Sequence, residues 1–150
     1  MVAFAKRQLG VPYRWGGISR RTGFDCSGLV YAAYRSIGRK LPHSTWGQMA
    51  LGVRVRFARL RPGDLVFTNG GGHVVLVVSK RAAIQAPYTG ARVSYVSLKS
   101  LSGEFGRAPT SLGRSERWPR QAIAAGNARE HSPVAAHTPD FLRPSVVGQG

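Results

Sequence analysis

Among the side chains of this 150-residue chain, one cysteine and four histidines are suited to nucleophilic and proton-transfer chemistry. Cys26 stands in Phe24-Asp-Cys-Ser-Gly-Leu29, directly after an N-capping residue type and directly before apolar positions at helical spacing. A cysteine in a first helical turn meets unpaired N–H groups and the positive end of the helix dipole, and both favour an anion. The expectation is a thiol that ionises near neutral pH and acts as a nucleophile. Ser27 and Gly28 are small and leave the sulfur approachable. Two alternatives stand beside this reading. A lone thiol also serves as a small buried apolar group, and Ser27 offers a hydroxyl nucleophile, though without the low pKa of a thiol.

A thiol nucleophile needs a base. His73 opens the most apolar run of the chain, Val74–Val78, directly after Gly70-Gly-Gly72. A strand start fixes its backbone and the glycines leave room for substrate, so His73 is read as the general base, against a turn histidine without a role. Gln85, the lone polar residue of Ala-Ile-Gln-Ala-Pro, belongs to the following strand. Its oxygen is placed to accept the Nδ1 proton and hold the ring in one tautomer, against the plainer reading of an outward polar residue. His43, between Pro42 and a helix start, is read as a surface loop residue, with cleft lining as the alternative. His131 and His137 read as solvated. Phosphate-loop, dinucleotide, serine-elbow and S-x-x-K motifs are absent, and beyond the weak His131/His137 pair the histidines lack metal-ligand spacing.

The elements that must position these residues follow from periodicity and punctuation. Val2–Leu9 is predicted as a short helix stopped by Gly10. A glycine-rich loop follows to Phe24. Cys26–Ile37 is predicted as a helix with an apolar stripe of Leu29, Val30, Ala33, Tyr34 and Ile37, capped by Asp25 and stopped by Gly38. Ser44–Leu51 is a second helix, with Thr45 and Gln48 at capping-box spacing. The pattern then changes to strands at Val53–Phe57, Leu65–Thr68, His73–Ser79, Ala82–Ala86 and Arg92–Val96. Arg61-Pro-Gly-Asp64 is a turn, with Asp64 a turn residue. Helices followed by a four- or five-stranded antiparallel meander make an α+β fold.

Composition sets the frame. Lys and Arg number 22 against 6 acids, a net charge of +16. Residues 1–106 carry +13 of this and residues 107–150 carry +3. The latter hold five of the nine prolines and read as a Pro/Arg/Ser-rich, disordered tail, with a weak helix at Arg120–Ala128; a soft domain boundary falls near Gly106. A single cysteine excludes an internal disulfide and a multi-thiolate metal site within one chain. No apolar run nears the roughly 18–20 residues of a membrane span. Met1–Gln8 lacks an apolar h-region, so no signal peptide is expected in this stretch, and the chain is read as cytosolic, exported by another route, or part of a longer product. The charge alone would also suit a non-catalytic module that binds nucleic acid or another polyanion, but the basic residues are scattered and no aromatic platform accompanies them.

Five strings occur in order: Tyr13-Arg-Trp-Gly-Gly17, Phe24-Asp-Cys-Ser-Gly-Leu29, Leu60-Arg-Pro-Gly-Asp-Leu-Val-Phe67, Gly72-His-Val74 and Ile84-Gln-Ala-Pro87. Over about residues 2–100 the chain resembles the NlpC/P60 family of cell-wall cysteine peptidases. The resemblance implies a papain-like α+β fold and hydrolysis of peptidoglycan stem peptides, typically between γ-D-glutamyl and diaminopimelate. It implies Cys26 as nucleophile, His73 as base and Gln85 as the third residue, where many members carry His. Tyr13 matches an oxyanion-binding tyrosine, with the Cys26 N–H as the second donor. Asp25 and Ser27 match substrate-binding positions, and an N-cap role suits Asp25 equally. Trp15 and Trp46 are expected in the core rather than along the cleft. The expected mechanism is attack by a Cys26 thiolate paired with His73 imidazolium, with no metal or cofactor. Stem peptides are the expected partner and anionic wall polymers a further one, without specific nucleic acid, and the chain is expected to be monomeric in the cell wall or outside the cell. A phage-type lysin of the same chemistry and a related thiol amidase or acyltransferase are the rival enzymes.

Overall fold

The computed structural model describes residues 1–101 and the backbone of residues 104–106. The predicted tail, the Arg120–Ala128 helix, His131 and His137 lie outside the described residues. The first helix, α1, covers Val2–Lys6, shorter than predicted, and the chain turns on to Gly10 at φ +80°. The glycine-rich loop contains two short strands, β1 (Ile18–Ser19) and β2 (Gly23–Phe24), paired as a hairpin. Helix α2 covers Cys26–Arg35. Its buried stripe is Leu29, Val30, Ala33 and Tyr34, whereas Ile37 lies beyond the helix and is exposed. Helix α3 covers Thr45–Ala50. Its cap is Ser44, whose Oγ accepts the Gly47 N–H at 3.1 Å. Gln48 takes no part in a capping box; its buried amide donates to the carbonyls of Ser27 and Pro42, each at 2.9 Å.

Five antiparallel strands form the main sheet: β3 (Leu65–Thr68), β4 (His73–Val77), β5 (Ala82–Gln85), β6 (Ser94–Ser97) and β7 (Glu104–Gly106). Their order is β6-β5-β4-β3-β7. The first four make the expected meander, and β7 returns to the free edge of β3 with Val66 opposite Phe105. The predicted strand at Val53–Phe57 does not form. Burial does alternate there, with half-buried Val53 and Val55 between exposed Arg54 and Arg56, but the free edge of β3 is taken by β7. The segment stays outside the sheet and ends in a 3-10 turn at Phe57–Arg59.

Side chains alternate between the two faces of a strand, and the core divides accordingly. Leu65, Phe67, Val74, Leu76 and Ile84 pack against Ala5 of α1 and Leu29, Val30, Ala33 and Tyr34 of α2. Val66, Val75, Val77 and Ala83 face the other way and are closed over by Leu60 and Leu98. Both faces are therefore dry, and every residue of β3 is buried. The Tyr34 hydroxyl donates to the Gly63 carbonyl at 2.6 Å, which ties α2 to the turn before β3. Gly63 has φ +101°, a conformation this turn demands. Asp64 is buried and its carboxylate accepts the Arg61 N–H at 2.8 Å, as a turn residue should.

Candidate active site

Cys26 is the first residue of α2, and its neighbour Asp25 caps the helix by accepting the Gly28 N–H at 2.6 Å. The same carboxylate accepts the Gly16 N–H at 2.8 Å and the Ser27 hydroxyl at 3.1 Å. His43 Nε2 lies 3.1 and 3.2 Å from its two oxygens. Asp25 thus holds together the glycine-rich loop, the start of α2 and the segment leading into α3. The approach is close: a Cβ at Gly28 would stand 2.0 Å from the Gly17 carbonyl oxygen. Ser27 is buried with its hydroxyl committed to Asp25, which removes it as a free nucleophile.

The expectation of an acidified thiol is not met. Burial pushes the half-buried Cys26 thiol up, and the negative charge of Asp25 adds to this. The nearby backbone N–H groups of Val74, Ser27 and Cys26 pull the other way, as expected at a helix start, but they do not prevail. Desolvation, a tertiary effect invisible in the motif, is the larger contribution.

Strand β4 packs against α2, and Val74, the neighbour of His73, is close enough to act on the Cys26 thiol. His73 is half-buried, and its Nε2 lies 3.0 Å from Gln85 Oε1 at the end of the neighbouring strand. A carboxamide oxygen only accepts, so Nε2 carries the proton and Nδ1 is the nitrogen left to act as base. This corrects the nitrogen: Gln85 meets the ring at Nε2, not Nδ1. Tyr13 is brought in by backbone pairing, its N–H donating to the Ala91 carbonyl at 2.8 Å beside a bridge to Phe24. Its hydroxyl is held above the usual phenol range, first by burial and then by the charges of Cys26 and Asp25. It therefore keeps its proton as a hydrogen-bond donor.

A cleft of about 490 Å³ opens at this junction, walled by Cys26, Asp25, Ser27, His43, Trp15 and Trp46 among others. Trp15 is 84% exposed and Trp46 62%, so neither is a core residue. His43 was the residue hardest to place from the chain. It is an exposed loop residue, as expected, and it also lines the cleft, held by a partner 18 positions away. Among the described residues, no group of three or more His, Cys, Asp or Glu converges as a metal site, and no helix is long and apolar enough to cross a membrane.

Fold and site together define an α+β domain of the papain-like kind, with a thiol at a helix start set against a histidine at a strand start. The NlpC/P60 family pattern matches residues 10–105, and the chain belongs to that family. It is 43% identical over 100 residues to the murein DD-endopeptidase MepH of Escherichia coli (strain K12), covering 61% of this chain and 37% of that protein. It is 36% identical over 96 residues to the gamma-D-glutamyl-L-lysine dipeptidyl-peptidase of Bacillus subtilis (strain 168), covering 60% and 32%. The crystal structure of the NlpC/p60 domain of the peptidoglycan hydrolase SagA superposes with a TM-score of 0.66 at 31% identity, covering 72% of this chain and 95% of that one. The chain thus spans about a third of either curated relative, but nearly the whole of an isolated domain.

Proposed function

We propose that residues 1–106 form a cysteine endopeptidase domain that hydrolyses peptidoglycan stem peptides, at the cell wall or outside the cell. The observation that carries this reading is the junction of α2 and β4. There the helix that starts at Cys26 packs against the strand that starts at His73, whose far nitrogen is anchored by Gln85. Family membership and the names of the relatives support the same substrate class.

In this mechanism the thiol is protonated at rest, because burial and Asp25 hold it up. His73 Nδ1 takes the proton as the sulfur attacks the amide carbonyl. The oxyanion is met by the Tyr13 hydroxyl and the Cys26 N–H. The C–N bond breaks, His73 protonates the leaving amine, and an acyl-thioester remains on Cys26. A water deprotonated by His73 then attacks the thioester, which releases the acid and restores the thiol. This replaces the expected resting thiolate–imidazolium pair with proton transfer during attack.

We infer cleavage at the γ-D-glutamyl bond to the diamino acid, diaminopimelate in the expected substrate. The B. subtilis relative is named for a γ-D-glutamyl bond, and the E. coli relative is named for a DD bond, which makes the latter the second reading. Defined stem peptides separate them by mass spectrometry. Fragments ending in γ-D-glutamate support the first reading, and cleavage only of D,D-cross-linked dimers supports the second. Equal release by Cys26→Ala protein would contradict both.

A further inference from the structure

Between α3 and β3 the chain carries a feature the proposed reaction does not use. Arg54, Arg56, Arg59 and Arg61 are all exposed, and with Val53 and Val55 they line a cavity of about 450 Å³. It shares no lining residue with the cleft around Cys26. Among the described residues no acidic side chain lines it. Asp64, the acid nearest in sequence, is buried with its carboxylate on the Arg61 backbone N–H. Asp25 is committed to the other cleft. Four guanidinium groups around one hollow repel one another, and an anion seated among them reverses the sign of every pair. The guanidinium fork matches phosphate oxygens two at a time. Val53 and Val55, both half-buried, share the lining with the arginines.

We propose that this hollow is a docking site for the phosphodiester groups of an anionic wall polymer, holding the domain on the wall while the separate cleft acts on stem peptides. The proposal rests on the wall-hydrolase reading for its choice of polyanion. Nucleic acid is the competing ligand for a basic surface. Sequence-tolerant strand binding uses successive aromatic platforms, and none of the residues lining the hollow is aromatic.

The test uses the full chain and two triple variants of equal charge: R54Q/R56Q/R59Q in the hollow, and R21Q/K80Q/R81Q at exposed positions elsewhere. Binding is measured to walls retaining their phosphate polymer, to walls chemically stripped of it, and to single-stranded DNA, over a salt series. Turnover of a soluble stem peptide is measured in parallel, and melting curves confirm that the variants are folded. The hollow variant is expected to bind intact walls on the order of tenfold more weakly, with a log–log salt slope shallower by about 2. The control triple should lose less than about threefold, and the soluble peptide should turn over equally in all three proteins. Equal losses in both triples would overturn the proposal in favour of diffuse charge. So would unchanged wild-type binding after stripping, or tighter loop-dependent binding of DNA than of the polymer. Absent peptide turnover in the wild type strikes the catalytic reading alone, and the wall-binding series still decides the docking site.

Discussion

Two histidines flank the cleft junction, and they differ in what holds them. His73 is tied through Nε2 to the neutral oxygen of Gln85. His43 is tied through Nε2 to a carboxylate that also accepts from Gly16, Ser27 and Gly28. The first arrangement fixes a tautomer and leaves one nitrogen for proton transfer. The second is part of a clamp, with Asp25 as its centre and the ring of Tyr31 packed 5.9 Å away at a tilt. A carboxylate on the far nitrogen also fixes a tautomer, so the partner alone does not separate the two rings. In the proposed mechanism His73 is the base because it opens the strand packed on the helix of Cys26, and His43 serves the clamp around Asp25.

The strongest way to break this contrast is to remove each ring in turn. His73→Ala should lower kcat/KM on a stem peptide by about a thousandfold, within the range for losing a general acid–base. His43→Ala should cost less than about tenfold, consistent with a residue acting through a neighbour. Equal losses would abolish the distinction. Next in size is the anchor of the base. Gln85→Ala should lower kcat by about tenfold with little change in KM, as for removal of an orienting group, and Gln85→His should recover most of it. Unchanged kinetics in Gln85→Ala would take Gln85 out of the site.

A smaller effect concerns pH. The Asp25 carboxylate disfavours the Cys26 thiolate, so Asp25→Asn should move the alkaline limb of Cys26 alkylation to lower pH while keeping a capping oxygen. A shift to higher pH would contradict the assigned electrostatics. In the wild type, alkylation should keep rising with pH through and above neutrality. A plateau beginning in mild acid would restore the preformed ion pair. Smallest of all, His43→Ala should lower stability by no more than about 1 kcal/mol, since the pair is partly solvent-screened. Thermal melting checks this, and a larger loss would make the clamp a major support of the fold.

Local signals made much of this legible in the chain. Asp25 caps, Cys26 starts a helix and His73 starts a strand because each is set by residues within a turn of it. The bounds of β3 and the placing of Gln85 beside the ring of His73 are legible in similar patterning. What escaped depended on distant parts. The alternation at Val53–Phe57 is genuine, but the place beside β3 goes to β7 and the segment makes no more than an isolated bridge at Val53. Trp15 and Trp46 are apolar enough for a core, yet the core fills without them. Gln48 has capping-box spacing within its own helix, yet its amide reaches the Ser27 carbonyl at the start of α2. The motif displays the helix dipole at Cys26 and hides the burial that pushes the thiol up.

The central claim is that one sulfur does the chemistry, and digestion of purified peptidoglycan tests it most directly. Wild-type and Cys26→Ala proteins, matched by melting curve, are incubated with the same sacculi, and soluble products are weighed by mass spectrometry. The account predicts stem-peptide fragments from the wild type and none above background from Cys26→Ala. The same fragments at the same rate from both would contradict it.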